Sequence, residues 1–168
     1  ADQLRSQTAN EIPVLMYGSR PPARGTCSIG GPVRAAVRRL GAPVSRIGFD
    51  LLTIAMAVTA ADTFVDKAEA DDGWARDLRL FIPIADPQLW QPAIPLLQKA
   101  LHFLSGDLWE IILLSDGPRQ LTSQNRGRIT VMAGHDCVSL FSGGMDSGIG
   151  ALNLLAGGRR PLLISHAY

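Results

Sequence analysis

The sequence predicts an α/β protein: a small α+β domain over residues 1–127, then a single βαβ unit over residues 128–168. Three observations carry that expectation. Short apolar runs of strand length alternate with stretches of helical periodicity. Gly and Pro, 17 and 11 in number, punctuate the boundaries. Residues 118–127 show no periodicity, and beyond them the pattern becomes strand, Gly-rich turn, helix, Gly stop, strand. That succession is one βαβ unit with a parallel strand pair, for which a right-handed crossover is nearly obligatory.

Each element has a local reason. Residues 1–11 are polar, and residues 12–17 (IPVLMY) form an apolar strand closed by Gly18. Residues 19–32, rich in Gly and Pro, read as a loop. Pro32 suits the first turn of a helix that runs to Leu40 and stops at Gly41. Asp50 is the expected cap of a helix over residues 51–67, with Leu51, Ile54, Ala55, Val58 and Ala61 or Asp62 on its apolar face. Residues 78–85 alternate and end in Asp-Pro, a strand with a stop. Residues 92–104 read as a helix with Ser105-Gly106-Asp107 as its terminating turn, and residues 108–114 as the next strand. In the C-terminal part, residues 129–132, 138–141 and 162–165 are strand candidates. A helix carrying Ile149, Leu152 and Leu155 lies before Gly157-Gly158.

Composition narrows the function classes. Of the 168 residues, 46% are hydrophobic and 18% charged, which excludes a disordered charged tail. The net charge of +1 gives no global basis for a polyanion partner, so nucleic acid is not expected. Six arginines and no acid fall between Arg20 and Arg46; a solvated basic surface is the plain explanation, a phosphate or RNA contact the sharper one. Cys27 and Cys137 make neither a disulfide framework nor a metal knuckle, so the default setting is cytoplasmic. The apolar stretch 51–61 is shorter than the ~20 residues of a membrane span, and the N-terminus has no apolar signal core. The chain starts without Met and stops just after an apolar run, so a piece of a longer protein is expected.

Ser142, Gly143, Gly144, Met145, Asp146 and Ser147 carry the chemistry. They lie between a strand and a helix N-terminus, where the first amides lack intrahelical partners and the helix dipole is positive. Adjacent glycines let backbone approach an anion, the serines add donors, and Asp146 can cap the helix or help hold a metal. Hydrogen bonds to charged groups contribute roughly 1.5–3 kcal/mol each. Two or three, with the dipole, support about millimolar to micromolar affinity for a phosphate group. No GxxxxGK[ST] loop is present. The near-match to GxGxxG at residues 148–153 falls inside the helix. Gly144-Met145-Asp146-Ser147-Gly148 also fits a nucleophile elbow bearing aspartate, for which His166 is the only downstream histidine.

The run LFSGGMDS, residues 140–147, resembles the PP-loop of the N-type ATP pyrophosphatase family, whose members share an adenine-nucleotide α-hydrolase-like, Rossmann-like fold. Upstream, Asp72, Trp74 and Arg76 (DxWxR) and Phe103, Gly106, Asp107 and Trp109 (FLxGDxW) look like the N-terminal region of QueC-like proteins of bacterial anti-phage systems. Counting both, the resemblance spans residues 46–168. It implies an ATP- and Mg2+-dependent ligase related to 7-cyano-7-deazaguanine synthase, which adenylates a carboxylate and releases pyrophosphate. The implied partners are ATP and either a deazaguanine-type small molecule or a protein acceptor from the same defence system. Ser142, Gly143, Gly144, Asp146 and Ser147 would bind the pyrophosphate; the resemblance assigns no catalytic residue in this chain. The family's zinc-binding cysteines have no counterpart here, so zinc is expected only in a further C-terminal part, and these residues alone are not expected to turn over. The alternative keeps the fold without catalysis: an accessory or scaffold protein whose N-terminal domain docks a defence partner.

The remaining candidates have plainer explanations. His102 is expected as a packed or surface residue, and His135 and Asp136 as turn residues. His166 lies at the strand end, where ligands of open α/β sheets bind, or in a terminal loop. Trp74, Trp90 and Trp109 are expected in packing, and Asp72 with Arg76 as a helical i,i+4 pair. The acidic stretch 62–77 is expected as a solvated face.

Overall fold

The computed structural model describes residues 11–18, 24–39, 44–70, 73–118 and 134–165. The chain separates into two compact units, residues 1–129 and 130–168. It is α/β: among the described residues every strand pairs in parallel with one neighbour, in three two-stranded sheets. His166, Asp72 and the strand expected over residues 129–132 lie outside the described residues, as does nearly all of the 118–127 stretch.

The first unit opens with β1 (Val14–Met16) paired to β2 (Cys27–Ile29). β2 lies inside the segment expected as a loop. Three residues between Gly25 and Gly30 are too few for a periodicity signal, and only the pairing to β1 makes them a strand. Helix α1 (Gly31–Arg39) follows, then α2 (Arg46–Phe64). Ser45, not Asp50, caps α2, accepting from Gly48 N at 3.0 Å. Asp50 sits one turn inside, 1% exposed, and its carboxylate accepts from Ala85 N (2.9 Å) and Asp86 N (3.1 Å). It therefore ties α2 to the end of the next strand.

The core face of α2 also differs from the expected stripe. Leu51 is 53% exposed and Ala55 is exposed, while Phe49, Thr53, Ile54, Met56 and Ala60 are buried. The physical reason is that α2 packs on two sides. Ile54 joins one cluster with Leu78, Leu80, Ile82, Ile84, Ile94, Trp109 and Ile111; Phe49 and Met56 join a second with Tyr17. A helix buried in two directions has no single apolar stripe. At 19 residues and a mean hydropathy of 1.4, α2 is long and apolar enough to cross a membrane by length and composition, more than its 51–61 segment suggested. Asp50 and Thr53, both 1% exposed, make it a packed wall of this unit.

A 3₁₀ turn (Lys67–Glu69), capped by Asp66, leads to β3 (Asp77–Pro83). Asp86 and Pro87 do more than stop that strand: Asp86 caps α3 (Pro87–Trp90), accepting from Leu89 N at 3.3 Å. A 3₁₀ turn (Gln91–Ala93) continues into α4 (Ile94–Ser105), which ends at Gly106 with φ 77°. β4 (Leu108–Leu114) then pairs with β3 from Asp77 opposite Leu108 to Pro83 opposite Leu114. Residues alternate along both strands, burying Leu78, Leu80, Ile82, Trp109 and Ile111 under α2 and α4.

The second unit is β5 (Cys137–Leu140), α5 (Met145–Ala156) and β6 (Pro161–Ile164), with Cys137 opposite Pro161. The expected βαβ unit is present, its strands shifted by one residue. Ala151 is the buried residue of α5; Ile149, Leu152 and Leu155 are 49–65% exposed.

Candidate functional site

The strand leaves β5 through Phe141, whose amide donates to Ile164 O at 2.8 Å. The chain then turns at Ser142 and Gly143. Gly143 takes φ 83°, a left-handed conformation that side-chain-bearing residues avoid, with open space where a Cβ would point. Gly144 is the N-cap of α5, extended at φ −81° and ψ 167°, with no side chain to cap the first turn. Asp146, expected as a possible cap, stands exposed on that turn and does not cap it.

The two hydroxyls are joined. Ser142 Oγ donates to Ser147 Oγ at 3.1 Å, and Ser147 Oγ donates to Gly144 O at 2.9 Å. Gly144 N reaches Ser142 Oγ at 3.4 Å, and the helix's own ladder begins with Gly148 N on Gly144 O at 3.0 Å. The structure thus brings Ser142, Gly143, Gly144, Asp146 and the half-buried Ser147 into one turn open to solvent, with the first amides of α5 at the positive end of its dipole. A phosphate group fits this donor set: bare backbone, two rotatable hydroxyls, no competing cap. Asp146 is the carboxylate the turn offers to a divalent cation. Among the described residues, no group of three His, Cys, Asp or Glu side chains stands ready for a metal.

Asp136 braces the same unit. It precedes β5 and accepts from Arg160 N (2.8 Å) and Arg159 Nε (3.0 Å), closing β5 onto the start of β6. The Arg160 amide chiefly, with Arg159 beside it, holds this carboxyl below its usual range. Desolvation raises the neighbouring Cys137 thiol, and its hydrogen bond to Asp136 adds to that. His135 is exposed, as expected of a turn residue.

The upstream motif residues meet in a different place and for a different purpose. Arg76 and Asp107, 4% and 0% exposed, form a buried pair: Arg76 Nη2 to Asp107 Oδ2 at 2.6 Å and Arg76 N to Asp107 Oδ1 at 3.0 Å. Arg76 also donates to Asp62 Oδ1 (2.7 Å) and Val65 O (2.6 Å). Ser105 Oγ accepts from Asp107 N (3.1 Å) and Trp109 Nε1 (2.9 Å), and His102 Nδ1 lies 2.9 Å from Asp107 O. Arg76 thereby drives the Asp107 pKa far below the carboxylate range, and Asp107 raises that of Arg76. The helical pairing expected of Arg76 is replaced, because residues 73–76 are not helical. Trp109 is buried and Trp90 packs against the core, but Trp74 is 78% exposed, contrary to its expected packing. Phe103 is 86% exposed.

No protein-family model matches the chain, and neither does any curated protein or solved structure.

Proposed function

We propose that the chain is the ATP-handling part of a PP-loop enzyme of the QueC-like type, acting with Mg2+ in the cytoplasm as a component of anti-phage defence. Bound ATP would supply an adenylyl group to a carboxylate of the 7-deazaguanine class, with pyrophosphate as the leaving group. The observation that supports this reading is the 142–147 turn: a left-handed Gly143 in open space and an uncapped Gly144 at the head of α5. In this reading Gly143, Gly144 and the first α5 amides hold phosphate oxygens, Ser142 and Ser147 rotate their hydroxyls onto them, and Asp146 faces the accompanying cation. β5 and β6 fix the turn from below.

Calorimetric titration with Mg-ATP tests it. Binding in the micromolar to millimolar range is expected, falling at least tenfold in Gly144→Asp, which puts a carboxylate where the phosphate would lie. Absence of binding, or unchanged affinity in the variant, overturns the reading. Pyrophosphate release on adding a deazaguanine carboxylate would then identify the acceptor chemistry.

A second reading, a non-catalytic scaffold, has its own observation. Leu96, Phe103 and Leu104 lie on α4 at 72%, 86% and 77% exposure, spaced i, i+7 and i+8 on one apolar stripe. A chain that binds no ATP but captures a co-encoded defence protein, and loses it on Phe103→Ser, would favour this reading.

A further inference from the structure

We propose that the outer edge of β4 takes up an extended peptide of a partner protein, laid as an added strand beside α4 with an acidic side chain against Lys99. The ladder decides which edge is open. Leu108 N donates to Arg76 O at 2.8 Å and Ile84 N to Leu114 O at 2.9 Å, so Leu108, Glu110, Ile112 and Leu114 turn their backbone groups to β3. Trp109, Ile111 and Leu113 therefore turn theirs the other way, and among the described residues no strand pairs with that side. The outer edge of β3 is less suited, because Pro83 has no N–H to offer.

One contact points to the added strand. Gln98 Oε1 accepts from Ile111 N at 2.8 Å, standing where the backbone carbonyl of a neighbouring strand would lie. Among the described residues nothing comparable covers the outward groups of Trp109 and Leu113. Unpaired edge groups are a template for another chain, and strand addition is a recurrent mode of peptide capture. A groove of about 380 Å³ opens beside the first half of this edge. Pro95, Gln98, Lys99 and His102, at the i, i+3, i+4 and i+7 positions of one face of α4, form its helix wall. Leu108, Trp109 and Glu110 form its strand wall. Leu97 and Leu101 pack on the core and hold that helix face in place.

Charge supplies the chemistry of the occupant. Among the described residues Lys99 and Asp77, which both line the groove, make no ion pair, whereas Glu110 is held by Arg79. His102 donates from Nδ1 to Asp107 O at 2.9 Å, so its Nε2 remains for a ligand. An extended peptide with an acid toward α4 and a base toward Asp77 complements both unpaired charges.

The experiment selects a random dodecapeptide phage library on the immobilised full chain and titrates the synthesised winners by fluorescence anisotropy. Enriched sequences should alternate β-branched and charged residues, with an acid among the charged ones. Lys99→Glu should weaken them at least tenfold; Lys99 is exposed, so the far-UV circular dichroism of this variant should stay unchanged. N-methylation of alternate peptide amides, in one of its two frames, should abolish binding. Gln98→Ala should tighten binding several-fold, because the Ile111 amide then has no internal acceptor to give up. No enriched peptide overturns the proposal, as does affinity indifferent to Lys99→Glu, to Gln98→Ala or to both methylation frames. Loss of binding in Phe103→Ser would place the peptide on the other face of α4 and also overturns it. So does self-association that the peptides fail to reverse, which would mark a second copy of the chain as the occupant. Failure of the ATP reading shows separately, as indifference of ATP binding to Gly144→Asp.

Discussion

Two strand–Gly–Gly–helix turns stand among the described residues, and they share a local geometry in opposite surroundings. After β2, Gly30 takes φ 87°; after β5, Gly143 takes φ 83°. The Gly30 position is walled in, a Cβ there meeting Met56 Cε at 2.3 Å and Tyr17 Cδ1 at 3.3 Å, whereas the Gly143 position faces open space. Two of the acid–arginine pairs repeat the contrast. Arg76–Asp107 is buried, but Arg159–Asp136 stays half open, with side chains 50% and 39% exposed. A glycine pair before a helix therefore says that the backbone must turn sharply. Whether that turn serves packing or a ligand is decided by what surrounds it.

The largest expected effect breaks the pair contrast. Asp107→Ala leaves the Arg76 guanidinium buried without its main partner and should cost about 3–5 kcal/mol in urea unfolding. The matching change, Asp136→Ala, should leave the unfolding midpoint nearly unmoved and only speed amide exchange near Arg160. Equal effects from the two would end the contrast.

Next comes the glycine comparison. Gly30→Ala combines a left-handed alanine with a clash against Met56 and should destabilise by about 2–4 kcal/mol. Gly143→Ala has only the backbone penalty, about 1–2 kcal/mol, but should weaken Mg-ATP binding several-fold in calorimetry.

The smallest effect is read against pH. The pKa of Asp107 is lowered on folding, so its contribution is full above the unfolded value near 4 and is lost as pH falls below it. Acid titration of stability should therefore be flat from pH 7 to about 5 and then decline. In Asp107→Asn that decline should be shallower.

Much of this architecture was readable from residue patterns. β4 matches its expected bounds because Leu108–Leu114 is an apolar run of strand length directly after the Ser105-Gly106-Asp107 turn, and the βαβ unit of the second region is announced by its glycines. The 142–147 turn was legible for the same reason: small residues between an apolar run and a helix have few alternatives. Three features were not. β2 owes its existence to pairing rather than to propensity. Asp50 looks like a cap because an acid precedes an apolar run, yet the helix begins at Arg46 and the carboxylate serves Ala85 and Asp86, 35 and 36 residues away in sequence. Arg76 and Asp107 meet across 31 residues, a distance at which local spacing is silent.

The position of α2 between two apolar clusters carries a consequence for how the first unit comes apart. The three-residue ladder of β1 and β2 is too short to persist by itself, and Tyr17, Phe49 and Met56 join it to the helix that also backs β3. Melting that ladder strips one flank of α2, and melting β3 strips the other. The two sheets should lose structure together, in a single cooperative step governed by one shared rod.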